Sequence, residues 1–161
     1  MVVMTINYSL AVANLISYDD GHQDAGDIAK GIPPVKSPTH PLIDALHAHS
    51  PEFVDLRRDI HRHPELGLAE QRTSQLIADR LNSWGYAVHR GLAGTGVVGQ
   101  LRRGSSARRL GLRADMDALP IQEASGLPWA SVHDGVMHAC GHDGHTTMLL
   151  AAAKYIAEQS H

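Results

Sequence analysis

The apolar residues of this chain change period once, and that change sets the fold class. From Leu42 to Trp84 they recur at helical spacing, with Leu42, Leu46, Phe53, Leu56 and Ile60 on one face and Leu76, Ile77, Leu81 and Trp84 on another. A break is expected near Ser50-Pro51, Pro64 stops the first segment, and Gly85 suits the end of the second. After Gly85 come short β-like runs, "YAVHR", "GVVGQLRR" and "RRLGLRADM", and the "GSS" between the last two predicts a hairpin. The segment "DALPIQEASGLPWASVHDGVMHACGHDG" has neither period and is rich in Gly and Pro. It reads as a long loop of the kind that carries function. "HTTMLLAAAKYIAEQ" then resumes as an Ala-rich helix with Asp143 or Thr146 near its N-terminus. The class is α/β, and there is no internal repeat.

Composition removes several functions. A net charge of -3, from 14 basic and 17 acidic side chains with no Lys or Arg run, gives no electrostatic footprint for nucleic acid. The single cysteine excludes an internal disulfide and any Cys-rich zinc module, and makes a reducing cytoplasm the expected compartment. The first twenty residues resemble a leader, but Thr5, Asn7 and Asn14 interrupt them and no Lys or Arg precedes Lys30. They are also too short and too polar to span a bilayer. From Asp19 to His40 the chain carries Gly, Asp, Pro33, Pro34 and Pro38 without apolar period, so residues 1–40 are expected to form a poorly ordered extension before a domain over 41–161.

Four motifs carry chemistry. "GTGVVG" (Gly94 to Gly99) fits the dinucleotide pattern, yet it leads into β formers rather than a helix, which favours a glycine-rich turn. His61 and His63 sit two apart, a spacing that does not converge on a helix, so a role at the helix end is favoured over a shared metal. Asp115 and Asp117 end an apolar strand run, where a spacing of two keeps both on one side. Such a pair can bind a metal, orient a ligand histidine, or simply turn the chain. In "HACGHDGH", Cys140 and His142 flank a glycine, and an extended loop projects both to one side. That leaves three readings: half of a metal site, a cysteine nucleophile with its base, or a structural turn. Two donors are too few for a metal site, which needs further ligands from elsewhere.

Taken in order, "RRDIHRHPELGLAEQRTSQLIADRLNSWGY", "GTGVVGQL", "GLRADMDALPIQEASGLPWAS" and "GVMHACGHDGHTTMLLAAA" resemble the M20-type metallo-amidohydrolases. The resemblance is to the branch of hippurate hydrolases, N-acyl-amino-acid deacylases and plant auxin-conjugate hydrolases. It covers about residues 50 to 157, and nothing before about residue 40 contributes to it.

The resemblance implies an α/β/α sandwich catalytic domain with a smaller covering domain and two divalent metal ions, of Mn, Zn, Co or Ni. It makes Cys140 and His142 metal ligands and gives Asp117 the position that orients the metal site. The implied substrate is a small N-acyl amino acid, cleaved at its amide bond to a carboxylic acid and an amino acid, with neither nucleic acid nor membrane as partner. A Glu-Glu pair and two more ligand histidines, which the family pattern places after the "MLLAAAKYI" helix, are not found before His161. The chain is therefore expected to be an opening part of the enzyme, holding two of about five ligands, inactive alone and prone to aggregate at an unpaired sheet edge. The rival expectations are a metal- or partner-binding module from a split gene, and a thiol hydrolase with Cys140 as nucleophile and His142 as base.

Overall fold

The computed structural model describes residues 2–6 and 41–159. Expectations about residues 7–40 lie outside the described residues. The elements run β1 (Val2–Ile6), α1 (Pro41–Ala48), α2 (Ser50–Arg62), α3 (Gln71–Ser83), β2 (Ala87–Leu92), β3 (Gly96–Leu101), β4 (Leu110–Ala114) and α4 (His142–Glu158).

Helix α2 starts with Pro51 in its first turn, where a missing N–H costs nothing, and buries Phe53, Leu56, Ile60 and His61 on one stripe. The first amides of α3 are satisfied from a distance: the Glu65 carboxylate accepts from Arg72 N (2.9 Å) and Thr73 N (2.8 Å). Helix α3 ends as its sequence predicts. Gly85 takes φ +81°, and the amides of Gly85 and Tyr86 donate to the carbonyls of Asn82 (3.0 Å) and Leu81 (3.1 Å). That closure turns the chain directly into β2.

β2 and β3 form the antiparallel hairpin around the "GTGVVG" stretch, with Gly94 at φ +95° in the turn. No helix opens there, so the glycine-rich turn is what the residues build. Gly99 makes room for α3, because a Cβ on it would lie 3.0 Å from Leu81 Cδ1 and 3.2 Å from Tyr86 Cδ1.

The expected hairpin between β3 and β4 does not form. The sheet order is β2-β3-β1-β4, with β1 antiparallel to β3 and parallel to β4. The connection from Arg102 to Arg109 is too long to act as a tight turn, and it lets the two strands stand one strand apart. Residues 2–6 take a central position in the sheet; four of the five are β-branched.

Helices α3 and α4 pack on the sheet and on each other, and α2 packs on α4, giving two layers of the expected sandwich among the described residues. Their shared core includes Leu56, Ile60, Ile77, Leu81, Val97 and Leu150. Tyr86 fastens β2 to α4, its hydroxyl donating to the Ala153 carbonyl at 2.9 Å, and burial pushes its pKa up to about 12. No helix among the described residues is long and apolar enough to cross a membrane.

Candidate metal centre

The long segment predicted between β4 and α4 is a loop, and hydrogen bonds pin it along its length. Leu119 and Met137 exchange backbone bonds of 2.9 and 3.0 Å, Ala118 N donates to Glu65 O (2.8 Å), and Val132 N donates to Arg62 O (2.9 Å). The loop leaves the C-terminal end of β4 carrying Asp115 and Asp117 and returns to α4 carrying Cys140 and His142. α4 begins at Gly141, at φ +80° and without a side-chain cap. Asp143 and Thr146 lie near its N-terminus as expected, and neither caps it: Asp143 turns its carboxylate inward toward α2, and the Thr146 hydroxyl donates to the Asp115 carbonyl at 2.9 Å.

The two aspartates, both buried, have separate partners. Asp115 Oδ1 accepts from Arg113 Nη2 at 3.2 Å. Asp117 Oδ1 lies 2.9 Å from His142 Nδ1, and the Asp117 carbonyl lies 3.1 Å from the same nitrogen. Both oxygens can only accept, so Nδ1 carries the proton. In the neutral ring Nε2 then keeps its lone pair, the form in which imidazole binds a metal.

Cys140 is exposed, and among the described residues no hydrogen bond joins it to His142. No group of three or more His, Cys, Asp or Glu among the described residues is arranged to hold a metal ion. The donor chemistry nevertheless fits a borderline divalent cation: an accessible thiol and an imidazole with its outer nitrogen free, supplying two of the donors such an ion takes. An open cleft of about 370 Å³, lined mainly by apolar residues such as Leu66, Leu68 and Leu119, reaches Asp117 at one wall.

Behind these residues lies a network that no local spacing revealed. Asp143, fully buried, accepts from His61 (2.9 Å) and Arg57 (3.2 Å) through one oxygen. His61 also reaches Glu123 Oε1 at 3.2 Å, and Glu123 accepts from Ser131 N at 2.6 Å. His61 is therefore more than a helix-end cation, and it does not converge with His63, whose Nδ1 donates to the Asp59 carbonyl at 2.8 Å. The hydrogen bond to Asp143, reinforced by Glu123, raises the His61 pKa against the opposing effect of burial. Burial would raise the Asp143 pKa, but His61, His138 and Arg57 hold it below the usual carboxylate range. His138 is buried with no partner at either ring nitrogen, and burial lowers its pKa to about 4, so it is neutral at pH 7. The partners of His61 lie 82 and 62 residues away in the chain, which is why periodicity could not find them.

The chain is similar to proteins of known family. Residues 111–161 match the model of peptidase family M20/M25/M40. A hippurate hydrolase from Campylobacter jejuni is 55% identical over 109 residues, covering 68% of this chain and 28% of that protein. An N-acyl-L-amino acid amidohydrolase from Geobacillus stearothermophilus is 46% identical over 66% of the chain and 29% of its own length. Among solved structures, a dinuclear metal-binding M20 peptidase from Bacillus subtilis superposes with TM-score 0.65 at 37% identity, over 71% of this chain and 32% of that one. The chain belongs to the M20 family of hydrolases. It spans under a third of the length of these relatives.

Proposed function

We propose that residues 41–161 form part of the catalytic domain of a metal-dependent amidohydrolase, in which Cys140 and His142 are metal ligands and Asp117 orients His142. The observation that carries this reading is the His142 ring: with Nδ1 donating to Asp117, its Nε2 is left to coordinate, two residues from an exposed thiol. Bound divalent ions supply Lewis acidity and lower the pKa of water. This chain's residues hold and orient: Cys140 and His142 donate, Asp117 fixes the tautomer, and Thr146 ties α4 to the end of β4 through Asp115. The substrate is an N-acyl amino acid cleaved at its amide bond. The names of the relatives support that class, and the cleft beside Asp117 suits an apolar acyl group. The metal identity is one of Mn, Zn, Co or Ni, and the place of action is the cytoplasm.

The chain by itself supplies two ligands and does not turn over hippurate. The test is a Co²⁺ titration followed by visible and near-ultraviolet absorption. A thiolate-to-cobalt charge-transfer band is expected, lost in Cys140→Ser and weakened in His142→Ala. No such band in the unaltered chain defeats the ligand assignment. Alkylation-sensitive hydrolysis that persists in chelator makes Cys140 a nucleophile instead; the lack of a hydrogen bond between Cys140 and His142 stands against that rival.

A further inference from the structure

The turn between α2 and α3 carries backbone strain where the sequence has an easier choice. Leu66 to Ala69 close a β-turn, Ala69 N donating to Leu66 O at 2.9 Å. Its third residue is Leu68, at φ +68°. A positive φ at that position of a turn normally takes Gly or Asn, and it is unfavourable for a bulky side chain. The left-handed conformation falls on Leu68 although Gly67 stands beside it. Core packing does not compensate, since Leu68 stays 65% exposed. Strain without burial points to a residue kept for what it touches from outside.

The surroundings hold the turn in this conformation. Just before it, Glu65 O accepts from Ala118 N at 2.8 Å; just after it, the buried Glu70 carboxylate accepts from the Thr95 hydroxyl at 2.6 Å. Leu66 also bridges to Ala118, so the turn is fastened to the segment that carries Asp117. Leu66 and Leu68 thereby line the cleft of about 370 Å³ together with Leu119, Pro120 and Asp117. Leu119 is fixed by its backbone bonds to Met137, and Asp117 by its bond to His142. Among the described residues, Asp117 is the one charged side chain on these walls.

We infer, building on the amidohydrolase reading, that this cleft is the subsite for the acyl group and that Leu68 is the residue that selects it: apolar, uncharged and as large as one aromatic ring. Leu66, Leu68, Leu119 and Pro120 offer apolar contact, so a benzoyl group gains by leaving water. An acetyl methyl leaves most of that contact unmade. A succinyl group brings its own carboxylate toward that of Asp117 and is repelled.

Methyl NMR of the chain supplied with Zn²⁺ tests the assignment by titration with N-benzoylglycine, N-acetylglycine and N-succinylglycine. The benzoyl compound should move the methyls of Leu66, Leu68 and Leu119 saturably, through the ring current of its phenyl group. It should also bind at least tenfold more tightly than the other two. Leu68→Gly removes side chain and strain together, so it should keep or raise the urea midpoint while weakening N-benzoylglycine about 10- to 100-fold. Leu68→Asn, whose polar side chain tolerates the same turn conformation, should bind as weakly. If Leu68 only shapes the turn, both variants will bind as the parent does, and that result overturns the inference. Equal affinity for the three compounds, or shifts confined to distant methyls such as those of Leu92 and Leu110, overturns it as well. The Co²⁺ charge-transfer band keeps the two readings apart. Present with unmoved cleft methyls, it rejects the acyl subsite and leaves the metal ligands standing; absent with moved methyls, it rejects the ligands and leaves the cleft as an apolar acyl site.

Discussion

Asp117 holds His142 with two oxygens at once, its carboxylate at 2.9 Å and its carbonyl at 3.1 Å from Nδ1. The carbonyl survives any side-chain change, so Asp117→Ala removes only the charged half of the grip. Ring orientation is retained in part, and the basicity lent by the carboxylate is lost. Metal affinity is expected to fall about 10- to 100-fold in Asp117→Ala and less in Asp117→Asn, whose amide oxygen can still accept. Competition titration with a chromophoric chelator reads both. Equal affinity in Asp117→Ala and the parent would sink the orienting role.

Two histidines set opposite limits on stability with pH in the chelator-treated chain. His138 is buried neutral with its pKa lowered to about 4, so between about 4 and 6.5 the unfolded chain binds a proton that the folded one does not. Stability is full above that window and falls as pH drops through it, by about 3 kcal/mol at most. His61 has its pKa raised by Asp143 and Glu123; its contribution is full below about pH 6.5 and is lost as pH rises toward the raised value. Urea midpoints should therefore peak near pH 6.5. His138→Asn should flatten the acid limb and His61→Asn the neutral one; unchanged limbs in both variants would refute this assignment.

Asp143 joins α4 to α2 through His61 and Arg57, and it is fully buried. Asp143→Ala removes the buried carboxylate that both His61 and Arg57 address, and is expected to cost about 3–5 kcal/mol. Hydrogen exchange should locate the damage in the first turn of α4, next to His142. A loss below 1 kcal/mol would mean that solvent replaces the carboxylate.

What the sequence made legible follows from the range of each interaction. The break at Ser50-Pro51, the close of α3 at Gly85 and the turn at Gly94 rest on contacts within a few residues, and local chemistry decides them. Cys140, His142 and Asp117 were singled out by residue type and by family resemblance, and the contact between Asp117 and His142 supplies a geometry the spacing did not. The β3–β4 hairpin failed because its competitor, Val2–Ile6, lies about a hundred residues away in a stretch that reads as a leader. His61 and Asp143 escaped for the same reason: the helix that carries one is α2, and the helix that carries the other is α4.

Gly99 offers a test of why "GTGVVG" has its last glycine. If that residue served a phosphate, a side chain there would abolish ligand binding and leave the fold intact. The structure gives it another task, because α3 lies so close that a Cβ would meet Leu81 Cδ1 at 3.0 Å and Tyr86 Cδ1 at 3.2 Å. Gly99→Ala should therefore cost about 1–3 kcal/mol by overpacking. Leu81→Ala, at a site with no solvent exposure, should cost about 2–5 kcal/mol by the cavity it leaves. The added methyl occupies part of that cavity, so the double variant should be more stable than the sum of the singles by about 1 kcal/mol. Urea denaturation of the four proteins closes the cycle. Strict additivity would mean that β3 and α3 do not meet at this point, and the packing that sets the height of the sheet beneath the helices would have to be drawn differently.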